Sequence, residues 1–572
     1  DLSNDHILDG YQYIVDSNKY DIVNSSFGGC ELTRDDSARY VAVIEPLEPH
    51  AAASNRHATA MAADKTLIFC SEGDPEYFTP AFNGTSTSFD VTGQIYDRLV
   101  RFEQGGTQLR PSLAQQWRVS KDGRTYVFSL RRGVKWHSNA NFKPTRDVNA
   151  DDVLFTLGRQ WQADHPYRHV TRSQYPYFES LGFAQLLQRV RKLDAYTVEV
   201  VLNRPDATFV STLAMQWAGI QSQEYAQAML NNQTPELFDQ QPIGSGPFQF
   251  KSYTRGQEVV FQAFDHYWEG RSKLDHLIFS ITPSASERWQ KIKTGQCHVM
   301  PYPNPADLPE MRRTDGVVMQ EKTGVNIGYM AYNTSKPPFT DVRVRRALNM
   351  AIDTRRILRQ VYKHTALPAT NPIPPIQWGY NRRVPEDNYA PAQAMALLKE
   401  AGYAKGFSVD LWAMDVQRPY MPDAIAVAKL IQEDLAEVGV RVTVKTHRWA
   451  EYFQRARTGE HDMVLYGWTG DNGDPDNFLN TLLSCDAVDG NNLARFCNAG
   501  YDALVKKAKI SLDPIERTHL YEQAQLVFKD QAPWLTIAHA NQYKVLRAEV
   551  KGFHITALGR HWFYGVDLVQ QP

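Results

Sequence analysis

Cysteine is scarce in this chain: 572 residues carry five, at positions 30, 70, 297, 485 and 497. No two form a CxxC pair and none stands at a zinc-binding spacing to a histidine, so the motif level offers no metal site. A few widely spread cysteines are compatible with one or two structural disulfides, and so with an oxidising compartment. Long apolar runs are also missing. No stretch of about 18 apolar residues occurs, so the sequence offers no helix to cross a bilayer. Charge of one sign is missing too, since 62 Lys and Arg against 64 Asp and Glu leave a formal net charge of -2. That balance gives no electrostatic argument for nucleic acid or an anionic membrane. Several catalytic signatures are absent: HExxH, GxxxxGK[ST] and GxSxG do not occur. "GSGPFQ" (244–249) lacks the third glycine of a dinucleotide loop, and "NGTS" (83–86) reads as a Ser/Thr-rich loop. No catalytic residue, cofactor or metal is assigned, and the chain is expected not to be an enzyme.

What is present describes a well-buried globular chain, with 42% hydrophobic and 12% aromatic residues, long enough for two or three domains. The first 64 residues stand apart. "ATAMAADKTL" (58–67) has the small-residue pattern of a signal-peptidase site, but no apolar segment precedes it. Residues 1–64 are therefore an extension of unclear origin ahead of a mature start near Asp64 or Lys65. No cysteine stands at that start, which argues for a protein without a lipid anchor. Within the extension, "DIVNSSFGGCE" (21–31) resembles a strand segment of subtilisin- and sedolisin-like serine peptidases. It brings no nucleophile, acid and base constellation, so a peptidase is only a distant alternative.

From Lys65 onward strands and helices alternate. "KTLIFCSEG" reads as a buried strand, and "TYVFSLRRGVKW" (125–136) and "TVEVVLNRP" (197–205) as further strands. "NADDVLFTLGRQW" opens with a capping-box-like start at Asn149 to Asp152. "GSGPFQF" (244–250) is Gly/Pro punctuation before a strand and suits a domain crossover. Val344, Ala347, Leu348, Ala351 and Ile352 form one helical face capped at Thr340 or Asp341. Ala428, Ile431, Leu435 and Val438 form another that ends at Gly439 and runs into the strand "VRVTVKT". This is an α/β chain of sheets flanked by helices.

Three clusters carry chemistry. "MVLYGWTGDNGDPDNF" (463–478) sets Asp471, Asp474 and Asp476 where an apolar strand ends. It misses the calcium-loop pattern, because Leu479 stands where the glutamate is needed. "WAMDVQRPY" (412–420) places Arg418 and Tyr420 in a loop, and "RSQYPYF" (172–178) offers Tyr175 and Tyr177. An arginine, an aspartate and aromatic walls complement a zwitterion. The residues alone leave open that Arg418 and Asp471 pair with each other or with solvent.

Residues 65–572 resemble, nearly end to end, the bacterial extracellular solute-binding proteins of family 5, the peptide- and oligopeptide-binding type that serves ABC importers. The motifs that carry the resemblance are "LAQQWRVSKDGRTYVFSLRRGVKWH", "FKPTRDVNADDVLFT", "PIGSGPFQF", "HVMPYPNPADL", "VRRALNMAID", "LWAMDVQRPY" and "GWTGDNGDPDNF". The resemblance implies a two-lobed periplasmic binding protein fold (type II, cluster C) with an extra domain and a hinge. Lobe 1 would comprise 65–98, 249–324 and 542–572, the extra domain 99–248 and lobe 2 325–541. The hinge is expected near 246–250 and 320–330. By the same resemblance, Asp471 holds a ligand ammonium and Arg418 a ligand carboxylate, with Pro419 and Tyr420 beside it. Trp468, Thr469 and Gly470 line the pocket, and Gly84, Tyr175 and Tyr177 close it from the opposite side. Asp474 and Asp476 are expected to cap and shape the turn.

The disulfides implied are Cys70–Cys297 and Cys485–Cys497, which leaves Cys30 unpaired. The ligand expected is a dipeptide or short peptide, whose termini lie at most about 7 Å apart in a dipeptide. Relatives that bind haem, glutathione or antimicrobial peptides give the alternatives. The expected partners are an inner-membrane permease and its ATPases, with a monomer working in the periplasm of a Gram-negative bacterium and no nucleic acid.

Overall fold

The structure, a computed structural model, describes residues 64–171 and 174–569. The 21–31 segment, Cys30 and most of the small-residue stretch at 58–67 lie outside the described residues. Alternation of buried and partly exposed side chains builds a twelve-stranded mixed sheet. Its path runs Val440–His447, Phe407–Met414, Met463–Thr469, Asn326–Tyr332, Trp534–Arg547, Val299–Pro301, Thr66–Ser71, His276–Ile281, Glu258–Ala263, Phe248–Thr254. Val317–Thr323 and Ala366–Pro368 also pair with Trp534–Arg547.

That 14-residue strand belongs to both halves of the sheet. Its first part pairs with Asn326–Tyr332, from Gly328 opposite Ala538 to Ala331 opposite Trp534. Its second part pairs with Val317–Thr323, from Thr323 opposite Asn541 to Val317 opposite Arg547. Two chain segments therefore cross side by side from one half to the other. The helices Val342–Ala351, capped by Asp341, and Ala424–Glu437, capped by Asp423, cover the second half. Their faces join the core that spans Val325 to Leu558, while Leu67, Phe69, Phe261 and Phe279 belong to a separate core in the first half.

The excursion between the first two sheet strands forms a four-stranded antiparallel sheet of Ala114–Val119, Thr125–Leu130, Thr197–Leu202 and Leu187–Asp194. Helix Ala150–Trp161 packs on it and starts with a full capping box at Asn149 and Asp152. The strand expected over 125–136 stops at Leu130, where the chain turns and Gly133 adopts φ 79. Two disulfides join Cys70 to Cys297 and Cys485 to Cys497, the pairing implied by the resemblance.

The junction between the halves rests on Asn326, which is fully buried. Its side chain donates to Ala540 O and accepts from Ala540 N, both at 2.8 Å. His539, held neutral by burial with its pKa pushed down to about 4, donates from Nδ1 to Asn326 O at 2.7 Å. Gly324 leaves the room for this: a Cβ there would stand 2.1 Å from Asn326 Nδ2 and 2.6 Å from Ala540 O. The hinge expected at 320–330 falls on this junction. The one expected at 246–250 does not, because those residues carry the chain from the excursion to the sheet's edge, with Gly246 N bonded to Ile95 O. The second crossing is instead Ala540–Asn541 of the long strand. Replacing Asn326 by alanine strands both buried Ala540 groups, at about 1–3 kcal/mol each. A clear fall in thermal midpoint is expected in calorimetry, and an unchanged one would refute the role of this contact.

Candidate functional site

A cavity of about 2160 Å³ opens between the two halves and the four-stranded excursion. One polar corner of it grows out of the strand Met463–Thr469, whose apolar body ends in the turn of 470–475. Asn477 ties that turn to the helix Asp476–Leu483: its Oδ1 accepts from Trp468 Nε1 and from Asp471 N, both at 2.9 Å. The three aspartates then separate. Asp474 accepts from Asp476 N at 3.0 Å and from Arg517 Nη2 at 2.8 Å. Asp476 accepts from Asn480 Nδ2 at 3.2 Å and lies 3.5 Å from Lys509 Nζ. These two shape the turn and anchor it to the C-terminal helices.

Asp471 faces the cavity and is only 5% exposed. Its Oδ1 accepts from Tyr177 Oη at 2.9 Å and from Arg560 Nη2 at 3.0 Å. Its Oδ2 is buried and has no hydrogen-bond partner among the described residues. Burial raises the pKa of this carboxyl, against the lowering pull of Arg560 and then Tyr177. Arg560 is itself placed by Ser86 Oγ, 2.9 Å from its Nη1, and by the Phe89 ring, 5.1 Å from its Cζ. Three segments far apart in sequence thus meet at one carboxylate.

The second charge expected at the site, Arg418, lines the same cavity. Its loop is pinned by a two-way bridge, Arg418 N to Met421 O at 3.1 Å and Met421 N to Arg418 O at 3.0 Å. Tyr362 Oη donates to Tyr420 O at 2.8 Å, and the Tyr420 ring packs close against Gly467. A Cβ at 467 would stand 2.2 Å from Tyr420 Cδ2 and 2.4 Å from Ile327 O, so only glycine admits the ring here.

Of the expected site residues, Asp471, Arg418, Pro419, Tyr420, Trp468, Thr469, Gly84 and Tyr177 line the cavity. Gly84 is held by its N–H on Glu76 Oε2 at 2.9 Å. Tyr175 does not line it. The residue is fully buried, its hydroxyl donates to Arg168 O at 3.0 Å, and its ring packs on Phe82. Its neighbour Pro176 starts a short helix that sends Tyr177, but not Tyr175, to the cavity. Gly470 lies beneath the wall, donating to Val325 O at 2.7 Å. Sequence reading missed Arg560, Ser86 and Asn477. Arg560 sits in an unremarkable "GRHW" 89 residues from Asp471, and no spacing rule connects the two.

The family model for "Bacterial extracellular solute-binding proteins, family 5 Middle" matches residues 108–490. The dipeptide-binding protein of Escherichia coli (strain K12) is 48% identical over 506 residues, covering 88% of this chain and 95% of that protein. The heme-binding protein A of Haemophilus influenzae is 42% identical over 507 residues, covering 88% and 93%. The dipeptide-binding protein of Pseudoalteromonas sp. SM9913, solved in complex with Met-Leu, superposes with a TM-score of 0.82 at 37% identity, covering 88% of this chain and 100% of that one.

Arg517 and Asp474 form a buried pair under the turn that carries Asp471. Replacing Arg517 by methionine leaves a buried carboxylate unmatched, at a cost of about 3–5 kcal/mol. Denaturant unfolding is expected to show that loss, and a stability within about 1 kcal/mol of the native protein would exclude the supporting role.

Proposed function

Because the chain belongs to the bacterial extracellular solute-binding proteins of family 5, we propose that it captures dipeptides and other short peptides by their two charged termini. The reading rests on one observation above all. Asp471 has one carboxylate oxygen committed to Arg560 and Tyr177 and a second, Oδ2, without a partner among the described residues, in the cavity that Arg418 also lines. The peptide ammonium completes the hydrogen bonding of Asp471, and its carboxylate meets the planar guanidinium of Arg418. Two opposite charges on rigid elements measure the distance between the termini, which in an extended dipeptide is about 7 Å.

The activity is capture and delivery rather than chemistry. Lobe 1 (65–98, 249–324, 542–572) with the extra domain (99–248) closes on lobe 2 (325–541) about the Asn326 junction. The closed monomer then presents the peptide to a permease and its ATPases at the inner membrane of a Gram-negative bacterium. The relatives named for dipeptides and the Met-Leu complex support this assignment.

The haem-binding relative and the size of the cavity support a second reading, in which the same cleft takes a ligand larger than a dipeptide. The described residues lining the cavity include no histidine, methionine or cysteine, but they do include Tyr177, Tyr302, Tyr420 and Tyr466, a residue type that can ligate haem iron. Visible absorbance during haem titration decides: a saturating shift of the Soret band would replace the peptide reading, and no shift leaves it in place.

Removing one of two desolvated charges costs about 2–5 kcal/mol. Asp471→Ala and Arg418→Ala are each expected to weaken dipeptide binding in titration calorimetry by a factor of about 30 or more. N-acetylated and C-amidated dipeptides should fail against the native protein. Full affinity in the variants, or tight binding of both blocked forms, would sink the two-charge reading.

The pH dependence follows from the raised pKa of Asp471. The carboxylate that holds the ammonium is charged above its pKa and protonates as pH falls through it. Affinity is therefore expected to drop on acidification at a pH above that at which an ordinary aspartate titrates. An acid limb that lies no higher than that would exclude Asp471 as the titrating group.

A further inference from the structure

The helix Ser86–Ile95 grips one short stretch near the C-terminus. Ser86 and Phe89 hold the guanidinium of Arg560. The next residue, Asp90, takes the next group: its Oδ1 accepts from His561 N at 2.9 Å, the peptide that joins Arg560 to His561. One turn on, Gln94 donates to His561 O at 2.8 Å and accepts from Phe563 N at 3.3 Å. Positions 86, 89, 90 and 94 recur at helical spacing, so a single helix face holds the segment that carries Arg560.

Asp90 does more than hold backbone. It is 2% exposed, and its Oδ2 lies 2.5 Å from His561 Nδ1. A carboxylate only accepts, so the ring donates there, and its Nε2 has no hydrogen-bond partner among the described residues. Burial lowers the pKa of His561 against the pull of Asp90, which leaves the ring neutral at neutral pH. The charge of Asp90 therefore falls on its other neighbours. One is Lys544, fully buried with its Nζ 4.4 Å from the Tyr302 ring centre. Burial lowers its pKa to about 8, and it is shared, since Asp90 and then Glu72 pull it back up. The other is Arg560. Burial lowers the pKa of that guanidinium, while Asp471, Tyr177, Asp90 and Tyr302, in that order, raise it. Arg98 is a further cation whose charge bears on this group, and Tyr302 feels Glu72 and Asp90 on one side, Arg560 and Arg418 on the other.

We propose that Asp90 is the positioning residue behind the ammonium socket: it seats Arg560 and, as a second carboxylate bearing on that guanidinium, divides its charge, which leaves Asp471 its attraction for a ligand ammonium. The inference rests on the two-termini reading. With Asp471 alone to match, Arg560 would form a closed pair, and an ammonium would have to compete with a cation already in place. Two carboxylates about one guanidinium keep an excess of negative charge, which the ammonium cancels.

The test follows Ala-Ala affinity against pH by titration calorimetry, for the native chain and Asp90→Asn. Asparagine keeps the size and an acceptor for His561 N and removes the charge. At neutral pH the variant is expected to bind about tenfold more weakly. Its acid limb should lie lower than the native one, because the whole Arg560 charge then falls on Asp471 and holds that carboxyl ionised further down. The two curves therefore converge as pH falls. Lys544 stays charged through that limb, and His561 loses the carboxylate that favours its protonated form, so neither reverses the sign. Parallel curves would make Asp90 a support of the fold alone. Diverging curves would mean that Arg560 is lost from Asp471 rather than concentrated on it, and equal affinity would mean that Asp90 does not act on the socket. Each of these overturns the proposal. Should Asp90→Asn fail to fold, the nitrogen NMR signals of His561 in the native protein decide, identified by their loss in His561→Gln. A proton on Nδ1 and none on Nε2 is expected, and the opposite tautomer would overturn the proposal. Failure of the native protein to bind Ala-Ala would instead overturn the two-termini reading itself, and this inference with it.

Discussion

A carboxylate removed from water must be matched or it will protonate, and Asp471 sits where that constraint is hardest to meet. Burial pushes its proton affinity up; the guanidinium of Arg560 and the hydroxyl of Tyr177 push it down. The match is incomplete by design of the geometry, because both partners use the same oxygen. Arg560 is steered by Ser86 and Phe89, and Tyr177 by the helical turn after Pro176. The position of three remote segments is therefore read out at one atom, and the large sheet and the excursion serve to bring those segments there.

Holding such an arrangement requires the two halves of the molecule to meet in one register. Two stretches laid side by side, Val317–Thr323 followed by Asn326–Tyr332 and the continuous Trp534–Arg547, carry the chain from one half to the other. Asn326 closes the break by satisfying both backbone groups of Ala540, and Gly324 gives the chain room to pass. This line, where two adjacent strands cross, is the place the proposed closure would use. The cavity walls on either side have their own cores.

How much of this was legible depended on whether the determinant was local. The cap at Asn149 and Asp152, the helix faces at 344–352 and 428–438, and the buried strand 66–71 are written in periodicity and capping residues, and they formed as read. The strand ending at Leu130 rather than 136 shows the limit of pattern, since Gly133 could be read either as a strand residue or as a turn. Asp471 and Arg418 were picked out by residue type beside aromatic walls. Their neighbours were assigned together, yet Tyr175 and Tyr177, two residues apart, point to a core and to a cavity. Arg560 carried no local signal at all, because what places it at the candidate site is a contact made 89 residues away.

The partial match at Asp471 bears on how a tightly enclosed peptide can be given up again. On the proposed reading, the ammonium completes a carboxylate already held by Arg560 from one side of the cleft and Tyr177 from the excursion. In the closed cavity all of these groups are desolvated together, where charged hydrogen bonds are strongest. On the same reading, opening about the Asn326 line withdraws Arg560 and Tyr177 and admits water to Asp471. Its attraction for the ammonium is then screened, as for any exposed pair. The same displacement parts the wall that carries Arg418 from the wall that carries Gly84 and Tyr302. Under that proposal affinity and closure are one variable, and a partner that favours the open form needs no contact with the peptide to release it.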